Sequence, residues 1–543
     1  MKHYLIVIFC LIISIPSTAQ SDSWFYLTAR DSTVEVPFVK EGNYLKYSGN
    51  NSRLKSVLKN YKISEFKKTY RKAKKEDLNA TFFVIADNSF LLEDLLQTSG
   101  GLFKRGEIIP DEQKKIFEPN DYGLTSTIGG NEGFAVNLDY LDFLGLPEAW
   151  YYTTGDSKTV IGISDGAIDT TNIDLKDKTT IFHKSPDVDG HGTSVAAIAA
   201  AQGDNGYGIP GVCYDCAIYG TTYGRFRTFE ILQELSKAGA KVINCSWVGS
   251  YNTPEVQDEV NEMFARGTIL VAAAGNRGWE RNKGEMSYFP ASYDNVISVS
   301  SVNYKYENIE DNILKSDNNK FYIENIRGYV GRTGGFKNND ITQAVSTYPV
   351  SVTTLNKDVD ILAPSNGQLR FTHSIKEGKP VYITIEATSP AAPLVSGTIG
   401  LMFSLYPCLP VTEVESILKM TSTNIDHIEA NKPFAGKYGA GMLHTGRAVK
   451  MVFDMFAEKG PVTIENQSFN RWDFKLTSHA EVILQNQTFK EDASLNLTSK
   501  KGITIGKNTV LKPNAKGKIH LKIDPTLQKE CELQLRDPSI LKD

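Results

Sequence analysis

Val160-Ile-Gly-Ile-Ser-Asp-Gly166 decides how the chain is read. Its first five residues make an apolar run of the length that a buried parallel strand takes, and Asp165-Gly166 ends it. Similar runs recur at Ala217 to Gly220, Val242 to Cys245, Ile269 to Ala273 and Val296 to Val299. Helical patterns at Phe229 to Ala238 and Glu255 to Ala265 separate several of them. Such alternation predicts a wound α/β parallel sheet with flanking helices. It fills the chain from about Leu138 to Phe453, broken at about 305–355 by a polar, Asn-rich stretch that reads as a surface insertion.

Outward from this block, the 543 residues are too many for one ordinary core, and two to four folded units are expected. A net charge of -4 gives no reason to expect nucleic acid or an anionic membrane as partner. Residues 1–19 run from Lys2 through an apolar stretch to Ser17-Thr18-Ala19, the pattern of a cleaved signal peptide, which predicts secretion. No later segment is apolar enough to be a transmembrane span.

Residues 20–118 are Lys-rich and predict a small α+β module, with helices at Leu54 to Leu58 and Phe90 to Leu96, the second opened by Ser89, and a strand at Thr81 to Ile85. The polar stretch Gly106 to Asn120, carrying Pro110 and Pro119, is expected to be an exposed loop open to nicking. At the other end, in residues 458–543, Val462-Thr-Ile-Glu-Asn-Gln-Ser-Phe469 returns as Val482-Ile-Leu-Gln-Asn-Gln-Thr-Phe489 and more loosely as Ile503 to Val510. Stacked β-rungs in a small all-β, solenoid-like domain fit this repeat, and a plain β-sandwich is the alternative.

Beyond the signal stand Cys213, Cys216, Cys245, Cys408 and Cys531, an odd number, so at least one thiol stays free. For the C-x-x-C at Cys213 and Cys216 a local disulfide is preferred over two free thiols, because export favours oxidation and no further metal ligands stand nearby.

Three chemically capable side chains occupy distinct contexts. Asp165 ends a strand, where its carboxylate can project at the carboxyl edge of a parallel sheet, although Asp-Gly after a strand is often only a turn. His191 lies in Asp189-Gly-His-Gly-Thr-Ser-Val-Ala196, between glycines that permit close backbone approach and at the start of an Ala-rich helix. Ser389 lies in Ala387-Thr-Ser-Pro-Ala-Ala-Pro393, with proline directly after it as at a first helical position. Alone, that serine reads equally well as a helix cap.

Together, Ile163-Ser-Asp165-Gly, His191-Gly-Thr-Ser-Val-Ala, Ala272-Ala-Ala-Gly-Asn276 and Thr388-Ser389-Pro-Ala-Ala-Pro393 resemble the signature blocks of the subtilisin-like serine peptidases, with some kexin-like features around His191. The order Asp, His, Ser agrees with that family. The resemblance implies a peptidase domain at 119–453, a catalytic triad of Asp165, His191 and Ser389, and an oxyanion donor in Asn276. It implies protein or peptide substrates held near Tyr223, Gly224, Ser246, Trp247, Val248, Gly249, Ala273 and Gly275, the outer edge segments being Tyr223 to Arg225 and Ser246 to Gly249. Trp247 reads either as a pocket wall or as core. Residues 20–118 would be an inhibitory propeptide, a partner for the enzyme made as a zymogen. Calcium is common in that family, but no Asp/Glu cluster is assignable to it, and no metal ligand is predicted. Two departures stand out: Ala387 where the family has Gly, and Gly166 where it has a hydroxyl residue after its Asp. A binding or adhesion protein on a degenerate scaffold of this kind is the competing reading.

Overall fold

The computed structural model describes residues 22–68, 76–110, 114–121, 139–224, 228–249, 251–276, 286–323, 326–333, 335–343, 347–349, 353–365, 368–376, 379–385 and 387–541. The expected signal peptide, Leu138 and Arg225 lie outside the described residues. The chain divides into two compact units, one ending at Lys115 and the other beginning at Ile116.

The first unit is a six-stranded antiparallel sheet in the order Phe38–Glu41, Tyr44–Tyr47, Ile63–Lys68, Thr81–Ala86, Ser23–Ala29, Phe103–Ile108. Phe25, Leu27 and Ala29 alternate into its core, where they meet Leu54, Val57 and Leu58 of helix Ser52–Leu58 and Leu91, Leu92 and Leu95 of helix Phe90–Thr98. Asn51 caps the first helix by accepting from Arg53 N and Leu54 N at 3.0 and 3.1 Å. Ser89 makes no side-chain cap bond; Asn88 Oδ1 accepts from Phe90 N at 3.0 Å instead. The expected loop Gly106 to Asn120 is shorter than its composition suggests. Gly106 to Ile108 form part of an edge strand, and within the second unit Asn120 N donates to Asp204 Oδ1, its Nδ2 donates to Asp204 O, and its Oδ1 accepts from Gly206 N.

The second unit centres on seven parallel strands in the order Ile361–Pro364, Val296–Val302, Ile269–Ala273, Val242–Cys245, Val160–Ser164, Ala217–Thr221, Thr179–Ile181. Successive side chains leave a strand on opposite faces, so a run apolar at every position fills two cores. Val242, Ile269 and Val271 join one core with helices His191–Ala200, Ala391–Leu405, Val411–Thr421 and Thr445–Ala457. Their neighbours Ile243, Leu270 and Ala272 face the other, packed with helices Glu230–Lys237 and Pro254–Ala265. The insertion adds small antiparallel pairs, Ile313–Lys315 with Phe321–Ile323 and Gly331–Thr333 with Thr347–Pro349, around Ile323, Ile326 and Phe336. A further hairpin, Gln368–Lys376 with Lys379–Ile385, precedes Ser389 and has no counterpart in the expected elements.

The repeats form three coils whose strands stack into three parallel sheets of three. Val462, Val482 and Ile503 lie in register, as do Phe469, Phe489 and Leu511. The repeated Asn-Gln pair has a physical reason. Asn466, Asn486 and Asn508 occupy the left-handed region at φ 64, 48 and 57°, which asparagine tolerates better than most residues, and Asn486 Nδ2 donates to Asn466 Oδ1 at 2.6 Å. Gln467 and Gln487 then turn inward and are buried.

These coils are not a separate body. Their interior Val462, Leu476 and Leu484 belong to the same apolar cluster as the sheet and the long helices. Lys475 N donates to Ser416 Oγ at 2.9 Å and Thr477 N to Glu413 Oε2 at 3.0 Å, both on helix Val411–Thr421. After the last coil the tail returns: Gln534 N donates to Leu405 O and Arg536 N to Tyr152 O, each at 2.8 Å. Cys531 is disulfide-bonded to Cys408, a pairing 123 residues apart. Cys213 and Cys216 form the expected local disulfide, and among the described residues Cys245 is the free cysteine, buried.

Two outcomes follow from this joint. Cutting the chain after Ala457 bares Met455 and Phe456 and removes Cys531. Large buried apolar side chains are worth about 1.5–3 kcal/mol each against a total stability of about 5–15 kcal/mol, so the shortened chain should not accumulate as a folded protein. Soluble shortened protein melting within a few degrees of the full chain would refute the dependence. Glu413 is the second handle, because burial pushes its carboxyl up to about 7. A folded value raised above the unfolded one means that its contribution is complete below about pH 4.5 and is lost as pH rises towards 7. Glu413→Gln should therefore match wild type at pH 4.5 and melt higher at pH 8, as read by calorimetry at both values.

Candidate active site

The parallel sheet brings distant residues to one edge. Ser164 and Cys245 are register partners on adjacent strands, so Asp165 and Ser246 leave the sheet side by side. Asp165 is fully buried. Its Oδ1 accepts from Gly166 N at 2.6 Å, from His191 Nδ1 at 2.6 Å and from Tyr223 Oη at 3.3 Å. A carboxylate only accepts, so the imidazole proton sits on Nδ1 and the Nε2 lone pair is left to take a proton.

His191 begins its helix as expected, and each neighbouring glycine has its own cause. Gly190 sits at φ 84°, and a Cβ on Gly192 would stand 2.2 Å from the Gly166 carbonyl oxygen. Asp189 Oδ1 accepts from His191 N at 2.7 Å, which fixes the turn into the helix.

Ser389 lies just before helix Ala391–Leu405, with Pro390 at the cap position and the Thr388 carbonyl accepting from Ala391 N and Ala392 N. It is held to the sheet edge from both sides: Ser246 Oγ donates to Ser389 O at 2.9 Å, and Ser389 Oγ donates to Ser246 O at 3.2 Å. Asn244 Nδ2 donates to the same Ser246 Oγ at 2.8 Å. Asn276 Oδ1 accepts from Thr388 N at 2.9 Å and from Thr388 Oγ1 at 3.1 Å. A backbone N–H can only donate, so this fixes which end of the exposed amide is oxygen and turns its NH2 group the other way, free of that pair.

The expected substrate residues separate into different roles. Val248 and Gly224 are exposed, Gly224 at φ 65°. Gly249 exchanges both backbone bonds with Phe289, at 2.6 and 3.1 Å, so those groups are already taken. Trp247 is core: it packs edge-on against Phe229 and donates from Nε1 to Ser164 Oγ at 3.1 Å. Ser246 and Ala273 are buried, and Gly275 sits at φ 98°. Tyr223 turns its hydroxyl to Asp165. The supporting roles of Asn244, Thr388 and Tyr223 carry no local sequence signal, because each depends on a partner far along the chain.

Cys245 stands near Asp165, and burial, with that charge adding to it, pushes the thiol well above its usual range, leaving it unreactive. Among the described residues no group of three His, Cys, Asp or Glu side chains gathers to hold a metal. Asp121 and Asp174 hold hydrogen bonds within the chain: Asp121 accepts from Asp204 N and Asn205 N, and Asp174 from Asn205 Nδ2. No helix among the described residues is long and apolar enough to cross a membrane.

A family model described as "Subtilase family" matches residues 156–441, more than half of the chain. Subtilisin DY of Bacillus licheniformis is 27% identical over 304 residues, covering 53% of this chain and 90% of that protein. The thermophilic serine proteinase of Bacillus sp. strain AK1 is 33% identical over 168 residues, 28% of this chain and 41% of its own length. The cell wall-associated protease of Bacillus subtilis strain 168 is 31% identical over 283 residues, 49% of this chain and 26% of its own. A solved protease of Pseudoalteromonas arctica covers 58% of this chain and 97% of its own at 20% identity, with a TM-score of 0.42.

Proposed function

As the chain belongs to the subtilase family of serine peptidases, we propose that it is a secreted endopeptidase, made as a zymogen, that cleaves proteins through Asp165, His191 and Ser389. The observation that carries this reading is the 2.6 Å contact of His191 Nδ1 with buried Asp165, next to the strand end that holds Ser389. With Nδ1 occupied, His191 Nε2 takes the Ser389 proton as Oγ attacks the peptide carbonyl, and returns it to the leaving amine. Asp165 keeps the tautomer and offsets the imidazolium charge. The tetrahedral oxyanion is met by the Ser389 backbone N–H and by the Asn276 amide, whose oxygen is engaged by Thr388. Losing one such donor costs about 10²–10³ in kcat. Water then releases the acyl group by the same proton path in reverse.

In this reading residues 1–19 direct export, and residues 20–118 are the propeptide that assists folding and blocks the site until cleaved. The polar stretch Gly106 to Asn120, which spans the boundary at Lys115 and Ile116, is the place for that cut, since a peptidase edge accepts chain that can be drawn out as an extended strand. Ser389→Ala deletes the nucleophile and changes little else. The variant should keep residues 20–118 attached while wild type sheds them, as read by mass spectrometry of each amino terminus after expression in one host. A variant trimmed as completely as wild type would assign processing to another protease. Wild type inactive on a diverse peptide library would favour the adhesion scaffold.

A further inference from the structure

Gly166 leaves the carboxylate of Asp165 without the neighbouring hydroxyl that its position in the chain could have supplied. Its Oδ2 is buried with no hydrogen-bond partner, so all stabilisation of that charge falls on Oδ1. There the donors are Gly166 N, His191 Nδ1 and Tyr223 Oη. A Cβ built on Gly166 would lie 3.6 Å from Tyr223 Oη, so the phenol oxygen stands in contact with the place where a side chain at 166 would begin. Tyr223 is half-buried, and its ring borders the core around Trp247 and Phe229.

We infer that Tyr223 is a positioning residue for the His191–Asp165 pair, its hydroxyl supplying Asp165 with a side-chain donor that Gly166 cannot give, in place of the substrate-lining role its location suggests. This rests on the reading of Asp165, His191 and Ser389 as a triad. The phenol is suited to the task because burial, with the charges of Asp165, Asp187 and Asp189 adding to it, pushes its acidity well out of the working range. It remains a donor at every pH at which the imidazole titrates. By spreading the Asp165 charge it holds the carboxylate in the orientation that meets Nδ1, and it moderates the pull of that charge on the imidazolium.

The test replaces one oxygen with nothing, Tyr223→Phe, which leaves the ring packing in place. Two measurements are made. In proteins that also carry Ser389→Ala, the His191 titration is followed by NMR, which needs no activity. Asp187 and Asp189, whose charges act on Tyr223, and Cys245, on which the Asp165 charge acts, are present in both proteins, so the difference reports the Tyr223 hydroxyl. The midpoint should move upward by about half to one pH unit in the Phe form. With Ser389 intact, kcat on a peptide substrate should fall roughly tenfold at little change in KM, the size expected for one hydrogen bond to a charged group. An unchanged or lower midpoint, or a raised KM at unaltered kcat, would overturn the inference and return Tyr223 to the substrate edge. If wild type cleaves no peptide at all, the peptidase reading fails, while the two NMR midpoints still decide what Tyr223 does to His191.

Discussion

Helix Ala391–Leu405 is buried along all fifteen of its residues, and the arrangement of the second unit follows from that constraint. No water reaches its polar side chains, so each must find a partner inside. Ser396 Oγ donates to Asn244 Oδ1 at 3.0 Å, Thr398 Oγ1 shares a 2.7 Å contact with Thr445 Oγ1, and Ser404 Oγ donates to Gly400 O at 2.8 Å. Neighbours can come so close only where side chains are small. A Cβ on Gly400 would lie 3.2 Å from both Cys213 Sγ and Cys216 Sγ, so the local disulfide is part of the wall against which the helix packs. Ser389 stands at the amino end of this helix, fixed by contacts that have nothing to do with chemistry.

The same constraint governs Asp165 and His191. A buried carboxylate is costly unless its charge is met, and Asp165 is met by a backbone N–H, an imidazole and a phenol. Asn244 joins the two halves of the site: its Oδ1 serves the central helix through Ser396, and its Nδ2 serves Ser246, whose hydroxyl holds the Ser389 carbonyl. Side chains that look structural thus set the positions of the proposed triad.

What the sequence made legible was mostly what is local. The strands Val242–Cys245 and Ile269–Ala273 match their runs residue for residue, because a fully buried strand has no solvent-facing positions to blur its ends. Asp165 and His191 stood in motifs whose glycines have individual steric causes, and they do meet. Strands Ser23–Ala29 and Phe103–Ile108 were not legible: the first mixes Ser23 and Thr28 with its apolar residues, and the second, at the sheet edge, carries Lys104, Arg105 and Glu107. Trp247 was ambiguous because an indole suits a pocket and a core alike; the Ser164 hydroxyl that receives its N–H decides, and that hydroxyl is 83 residues away. The Cys408–Cys531 pairing was hidden for the same reason, as nothing near either cysteine announces the other.

The repeats show how an apparently modular segment becomes part of a catalytic body. A β-coil has an open first rung whose apolar interior needs a lid, and here helices Val411–Thr421 and Thr445–Ala457 provide it. The joint is also electrostatic. Lys419, buried on the first of these helices, lies 2.8 Å from Asp360 Oδ1 and 4.2 Å over the ring of Trp472, while Asp360 Oδ2 accepts from Ser298 N at 2.9 Å on a central strand. Arg471 covers the ring of Trp472 at 4.3 Å and donates to Lys357 O at 2.7 Å. Burial pushes the Asp360 carboxyl up, and the Lys419 charge opposes that shift, so each buried ion depends on the other to remain in place. One continuous line of contacts therefore runs from the coil, through Trp472 and Lys419, to the sheet that presents Asp165 and holds Ser389.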